Sequence, residues 1–506
     1  MNSQIQASPL SIDDVTVIDD DKVKKAVTAA ALGNAMEWFD FGVYGFVAYA
    51  VGKVFFPDAA PAVQTVAALA TFSVPFLIRP LGGIFFGAMG DKFGRQKVLS
   101  LTIIIMAAST FCIGLIPGYA TIGIWAPILL LLCKLVQGFS VGGEYTGAAI
   151  FVAEYAPDRK RGYLGSWLDF GSIAGFVLGA GLVVLLSSAM GEAKFLDWGW
   201  RIPFFLAAPL GLIGLYLRHA AEETPAFTER LQRAEEEDRQ SLKERPMVPI
   251  AEIAREHFRS LAICIGMVLV TNVTYYMLLT YMPTYLSKTL NYSEDHGVLI
   301  IIAVMVGMLF VQPAIGLLSD RIGRKPFLAA GSTAILFLSL PAFHLIASGQ
   351  VVQIFFGLLI LAVALNCLIG IMASTLPALF PARIRYSALA IAFNISIIVA
   401  GLTPTVTAWL VEVTENIYMP AYYLMVAAVF GIVTTFFLKE TANRPLYGDT
   451  PNASSRKEAK SLLAEQYQHI EKSVEEIDEE LAKLEEQKKI LQTKREGLVG
   501  RHPDLT

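Results

Sequence analysis

Charge is scarce in this chain: only 17% of its 506 residues are Asp, Glu, Lys or Arg, too few to coat a soluble protein of this size. The formal net charge is −4 and no basic stripe runs along any segment, which excludes a nucleic-acid partner. Cysteine is rarer still. Cys112, Cys133, Cys264 and Cys367 all fall in apolar segments, with no CxxC pairing and no histidine cluster beside them, so neither a disulfide framework nor a metal site is expected. No Walker loop and no nucleophile set beside a base stands in a recognisable context, and the chain does not read as an enzyme. The N-terminal stretch, with Asp13, Asp14 and Asp19 to Asp21, lacks the basic start of a secretory leader, and no cleaved signal peptide is expected.

What is abundant is apolar sequence. The chain is 55% hydrophobic with a mean hydropathy of +0.54. Twelve stretches are each long enough to cross about 30 Å of hydrocarbon as a helix. They run near 26–52, 62–89, 98–118, 122–150, 162–190, 199–218, 259–286, 296–319, 326–347, 350–380, 385–410 and 418–438. Basic residues gather in alternate loops: Lys92, Arg95 and Lys97; Arg159 to Arg161; Arg321, Arg324 and Lys325; Arg383 and Arg385. The positive-inside rule then puts both termini in the cytoplasm. The expected order is an N-terminal tail (1–25), a six-helix bundle (26–218), a central cytoplasmic loop (219–258), a second six-helix bundle (259–438) and a tail (439–506).

The two bundles repeat each other. GAMGDKFGRQK (Gly87 to Lys97) returns as GLLSDRIGRKP (Gly316 to Pro326), with Asp91 and Asp320 displaced by 229 positions. PDRKRG echoes FPARIR, and EETP echoes KETA, in the same order and at similar offsets. Three ordered echoes indicate a duplicated unit. The paired GxxxDxxGR motifs resemble the signature of the major facilitator superfamily, which implies an all-α polytopic fold and transport by alternating access. By that resemblance Gly87, Asp91, Arg95, Gly316, Asp320 and Arg324 form a cytoplasmic gate. Physically, the aspartates suit the positive N-terminus of a neighbouring helix, and the arginines suit carboxylates. Mere topology signals are the alternative.

The first span places Glu37 and Asp40 in mid-membrane, where a charge is costly unless it faces a cavity or a partner. Asn34, Glu37, Phe41 and Tyr44 share its stripe. The fourth span offers Lys134, Gln137 and Glu144 among glycines that admit close helix approach. A buried Lys134 needs an anion, and Glu37, Asp40 and Glu144 are the candidates. Glu37, Asp40, Glu144 and Lys134 are therefore the expected proton-coupling set; a fixed salt-bridged core is the alternative. Trp38, Phe41, Tyr44, Asn272, Tyr275 and Tyr276, with Asn34 and Gln137, are the candidate solute contacts. Aromatic faces attract quaternary ammonium groups, although the same rings also serve as packing. Asp169 and Glu154 read as nearer the cytoplasmic ends, with gate or structural roles, and Arg79 reads as a helix-end residue.

LGNAMEWFDFGVYGF, LIRPLGGIFFGAMGDKFGRQK, LVQGFSVGGEYTGAAIFVAEYAPDRKRG and WGWRIPFF together resemble the metabolite:proton symporter branch. TNVTYYMLLTYMPTYL and the long tail are similar to its osmosensory proline/glycine betaine members. That resemblance implies uptake of zwitterionic osmolytes with protons, without a cofactor, driven by the proton gradient. One proton brings about 2.3 kcal/mol per 100 mV, roughly a 50-fold gradient, which suffices to concentrate a neutral zwitterion. In the tail, Ile470, Val474, Ile477, Leu481, Leu484, Lys488 and Leu491 continue a heptad stripe over about 460–498. Lys488 interrupts the apolar seam, as expected of a separable two-stranded coiled coil in a homodimer; a lone solvated helix is the alternative. Anionic lipids are a further expected contact. Two rival functions remain at this point: a symporter for an organic acid such as citrate, 2-oxoglutarate or shikimate, and a membrane osmosensor signalling through its coiled coil.

Overall fold

A computed structural model describes residues 15–57, 61–220, 250–292 and 294–464, together with Leu481, Lys488 and Leu491. The chain divides into two compact units, Ile18–Thr450 and a smaller one made of the N-terminal segment to Val17 with everything from Pro451 onward.

The larger unit is built of long helices. In its first half these are α1 (Asp20–Phe55), α2 (Pro61–Phe93), α3 (Arg95–Leu115), α4 (Trp125–Val141), α5 (Glu144–Tyr155), α6 (Arg161–Met190) and α7 (Ile202–Ala220). In its second half they are α8 (Phe258–Tyr275), α9 (Glu294–Ile322), α10 (Lys325–Ala347), α11 (Val351–Thr375), α12 (Arg385–Gly401), α13 (Thr403–Thr414) and α14 (Met419–Phe437). Among the described residues ten helical stretches are long and apolar enough to cross a membrane. With 36 and 33 residues, α1 and α2 also have the length, which completes the twelve expected. The outer faces expose Phe310 (79%), Phe436 (76%) and Leu212 (68%), side chains that belong against lipid.

Local chemistry sets the helix ends. The Asp21 backbone N–H donates to Asp19 Oδ1 at 2.8 Å, so α1 begins six residues before the apolar stretch, with Asp20 and Asp21 in its first turn. Two spans depart from the regular helices the sequence suggests. The fourth breaks at Gly142–Gly143 between α4 and α5 and continues to Tyr155 rather than 150. The seventh widens into π-helical turns at Tyr276–Tyr281 and Tyr285–Thr289, on either side of Met282–Thr284. Pro283 lies between them; lacking an N–H, it cannot keep an α ladder, and π turns accommodate the gap. The halves meet along α2 against α12 and α6 against α9.

The smaller unit pairs β1 (Thr16–Val17) in parallel with β2 (Asn452–Ala453), and Val15 packs with Ala453, Ala459, Leu462 and Leu463. Of the heptad positions, Leu481, Lys488 and Leu491 are helical and exposed, the leucines at 52% and 65%. Ile470, Val474, Ile477 and Leu484 lie outside the described residues, as does most of the central loop.

Candidate functional site

α1 carries two acidic side chains into the interior, and each meets its own cation. Arg79 Nη2 donates to Glu37 Oε1, both side chains at least 96% buried, and the guanidinium lies 5.4 Å from the ring centroids of both Phe41 and Phe76. Lys134 Nζ reaches Asp40 Oδ2 at 3.3 Å, donates to Gln137 Oε1 at 2.8 Å and sits 4.0 Å from the centre of the Tyr44 ring. Gln137 in turn donates to Thr110 Oγ1 at 2.7 Å. Of the three candidate anions for Lys134, the structure selects Asp40. Glu144, at the N-terminus of α5, accepts from Thr102 Oγ1, and Asn34 donates to Ser172 Oγ and to the Leu168 carbonyl.

Arg79 corrects the sequence reading. It lies in mid-helix on α2, 3% exposed, where an unpaired cation would be untenable. The visible signal is an Arg between the in-helix Pro75 and Pro80, about five turns into α2, at a depth where Glu37 needs a counterion.

Between the halves lies a cavity lined by Glu37, Trp38, Arg79, Asp169, Asn272 and Tyr275, with Tyr145 and Phe393 also on its wall. Its free volume is about 20 Å³, room for one water molecule and no solute. Asp169, expected near an end, instead faces this space and accepts from Tyr145 O–H at 3.1 Å. Trp38 packs against Tyr275 (centroids 4.7 Å apart) and Phe41 (5.5 Å), Phe76 against Tyr276 (5.6 Å), and Tyr145 stacks on Phe393 at 4.7 Å. Three of the eight candidate solute contacts, Trp38, Asn272 and Tyr275, line the cavity. Phe41 and Tyr276 stand behind them as packing, while Asn34, Tyr44 and Gln137 are engaged elsewhere, because their polar groups serve buried partners of their own. A larger groove of about 420 Å³, bounded by His296, Leu299 and Phe355, is almost wholly apolar and offers a charged solute nothing.

At the end carrying the basic loops, the halves are joined by a network that follows the repeat. Asp320 accepts from the Gly162 and Tyr163 backbone N–H groups at 2.7 and 2.8 Å. Asp91 accepts from those of Tyr386 and Ser387 at 3.3 and 2.9 Å, and from Ser387 O–H at 2.7 Å. Each motif aspartate thus sits on the first turn of a helix from the opposite half, α6 or α12, where the helix dipole favours an anion. The motif glycines have equally physical roles. Gly94 and Gly323 have φ of 103° and 105°, a region L side chains rarely adopt, and they separate α2 from α3 and α9 from α10. A Cβ on Gly87 would press the Ser387 backbone at 3.1 Å, and one on Gly316 would overlap Ser166 and Gly162. Tyr386 fills a slot against Gly90 and Gly147, and its O–H donates to the Gly143 carbonyl at 2.7 Å. Asn394 Nδ2 donates to the Gly142 carbonyl at 2.8 Å, so the break in the fourth span also meets the opposite half.

Three buried arginines complete this end. Arg385 Nη1 donates to Glu154 Oε1 and Asp449 Oδ2, each at 2.8 Å, and its Nη2 donates to the Tyr447 carbonyl at 3.0 Å. Arg161 pairs with Asp158 and donates to the Arg444 carbonyl at 2.8 Å. Arg324 donates to the Ser374 and Thr441 carbonyls and lies 3.8 Å from Asp320; the Arg95 side chain falls outside the described residues. Glu440 caps α10: the backbone N–H groups of Arg324 and Lys325 donate to it at 3.0 and 3.1 Å. Partial burial alone would raise its carboxyl, but these and the Thr441 and Ala442 N–H groups hold it below the ordinary carboxylate range. This cap is complete at neutral pH and is lost only as pH falls through that lowered value.

Closely packed halves tied by paired aspartates, a paired charge at mid-membrane and a small polar cavity between the halves define a secondary transporter. Residues 26–450 match the family described as Sugar (and other) transporter, and residues 454–506 match the osmosensory transporter coiled coil. The chain is 68% identical over 497 residues to the proline/betaine transporter of Salmonella typhimurium, covering 98% of both. It is also 68% identical to the glycine betaine/proline/ectoine/pipecolic acid transporter OusA of Dickeya dadantii, covering 99% of this chain and 98% of that one. In fold it resembles the major facilitator proton:xylose symporter XylE (TM-score 0.68, 19% identity, covering 85% of this chain and 98% of the other). The chain therefore belongs to the sugar (and other) transporter family of the major facilitator superfamily and carries an osmosensory coiled-coil segment.

Proposed function

We infer that this protein accumulates small zwitterionic compatible solutes, such as proline and glycine betaine, by coupling their entry to that of a proton under osmotic control. The observation that carries this reading is the interfacial cavity, where one guanidinium and two carboxylates face an aromatic wall. Proline, betaine, ectoine and pipecolic acid, named for the relatives, each combine a carboxylate with a cationic nitrogen. Arg79 suits the first and the aromatic wall with Asp169 suits the second. Arg79 also revives the organic-acid alternative, since anions favour an arginine in the cavity. Glu37 and Asp169 outnumber it there and would repel a di- or tricarboxylate. Labelled betaine and proline uptake by transporter-deficient cells, at low and high osmolality and with a protonophore, tests the reading; uptake insensitive to both would reject it.

The site sits in a bacterial cytoplasmic membrane with both termini inside, as the basic loops support. The aspartate and arginine network that joins the halves at that end then serves as the cytoplasmic gate, and its interlocked hydrogen bonds support a closed state. Gly90→Val should prevent Tyr386 from seating, lower uptake strongly and leave the cytoplasmic side open, seen as faster maleimide labelling of a cysteine placed at Ala390. Trp38→Leu should raise the KM for betaine about tenfold and that for proline less, since the quaternary ammonium depends most on the ring face. Exposed Leu481 and Leu491 support pairing of two tails in a homodimer, with anionic lipid near the basic loops. Deleting residues 460–506 should shift the osmolality of half-activation and abolish tail cross-linking while proton-driven uptake persists.

A further inference from the structure

Several buried polar atoms at the cavity have no hydrogen-bond partner among the described residues: Glu37 Oε2, Arg79 Nε, Trp38 Nε1 and Tyr275 O–H. Native interiors leave few such atoms, and here they converge on one space. Arg79 is the one cation lining that space among the described residues. A guanidinium has five N–H donors in a planar fork, and Arg79 spends one of them on Glu37 in a single-point contact. The cavity has room for one water, so a solute carboxylate cannot be added beside the closed Glu37–Arg79 pair. Asp40 differs in position: its Lys134 also donates to Gln137, which donates to Thr110, and lies over the Tyr44 ring, and although Asp40 Oδ1 too has no partner among the described residues, neither Asp40 nor Lys134 lines the cavity.

We propose that the solute's carboxylate takes the place of Glu37 on Arg79, and that the displaced Glu37 takes up the cotransported proton. This deepens the compatible-solute reading and rests on it. Once Arg79 is engaged by the solute, Glu37 is a buried carboxylate without a cation, and burying such an ion is far costlier than burying the acid. Among the described residues the groups around it supply no replacement. Asp40 on α1 and Glu144 on α5 act on it electrostatically, while Asp169 on α6 and Tyr275 and Tyr276 on the seventh span stand across or beside the cavity. The charge balance closes in each direction. Outside, one zwitterion binds and one proton joins Glu37; inside, the solute leaves, Glu37 gives its proton to the cytoplasm, and the carboxylate returns to Arg79. At Arg79 neither the empty nor the loaded carrier leaves Glu37 as an ion without its cation, whereas a carrier holding solute without a proton does. The exchange makes the carboxylate, rather than the cationic nitrogen, the element of the solute that obliges coupling.

The purified full-length protein in weakly buffered detergent solution at pH 7, titrated with glycine betaine beside a pH indicator, reads this directly. Wild type should take up close to one proton for each betaine bound. Glu37→Gln should bind betaine at least as tightly, because Arg79 is already free, and take up none; Glu37→Asp should restore the uptake and shows that the site still folds. Choline, which keeps the trimethylammonium and lacks the carboxylate, should bind wild type about 30-fold more weakly or worse and move no proton. Betaine binding to wild type without proton uptake, or equal uptake by Glu37→Gln, would overturn the exchange. Failure of wild type to bind betaine at all would instead overturn the compatible-solute reading beneath it.

Discussion

Replacing Arg385 with alanine is expected to destabilise the protein by about 3–5 kcal/mol, the usual cost of removing one partner from a buried ion pair. Arg385 is fully buried and joins Glu154 of the first half to Asp449 in the segment after α14. Its loss takes one cation away from two carboxylates at once, Glu154, also fully buried, and Asp449. The Pro377, Phe380 and Tyr447 carbonyls lose a donor as well. A conformational effect is expected as well. Without this tie across the halves the basic-loop end should open, and a cysteine at Ala390, buried in the closed form, should react faster with a maleimide. The companion variant Glu154→Gln removes one charge and keeps a hydrogen-bonding amide, and should cost less. Calorimetry or thermal aggregation of the purified protein gives the first result and labelling gives the second; a stable, closed Arg385→Ala protein would contradict both.

Arg79→Ala is expected to lower uptake at least about 100-fold at every osmolality, since it removes a desolvated, charge-assisted contact worth several kcal/mol. Part of the damage is structural, because Glu37 is left buried without its cation. The double variant Arg79→Ala/Glu37→Gln separates the two effects. It should recover thermal stability, since no lone charge remains, and still fail to transport. Recovery of uptake with stability would reduce Arg79 to a structural counterion. Thermal unfolding and betaine uptake measured on the same preparations decide between these outcomes.

Much of this was legible in the residues, for reasons that differ by element. The helical spans are legible because about 20 apolar residues in a row have one good use. The gate motif is legible because the duplication shows the same glycines and aspartates twice. Asp91 and Asp320 each rest on a helix start of the other half, and Gly94 and Gly323 share the same backbone geometry. Lys134 announced a need for an anion, but the choice of Asp40 over Glu37 depends on which face of α1 meets α4, and a stripe on one helix does not carry that. Arg79 and Asp169 were missed for the same reason. Hydropathy places a residue along a span but not around it, and both turn toward the interface between halves. The π turns of the seventh span left only Pro283 as a signal, and a single proline is compatible with a kink, a break or a widened turn. Tail pairing rests on heptad spacing, which is why a chain's own exposed leucines, Leu481 and Leu491, are its strongest statement about a partner.

The most direct test of the central claim is uptake of labelled glycine betaine by proteoliposomes holding the purified full-length protein, driven by an imposed proton gradient at raised external osmolality. Wild type should concentrate betaine above the external level and lose that gradient with a protonophore. Glu37→Gln should exchange betaine across the membrane without concentrating it. Proton-driven accumulation by Glu37→Gln equal to that of wild type would contradict the account, because the proton would then travel by a route that the Glu37–Arg79 pair does not control.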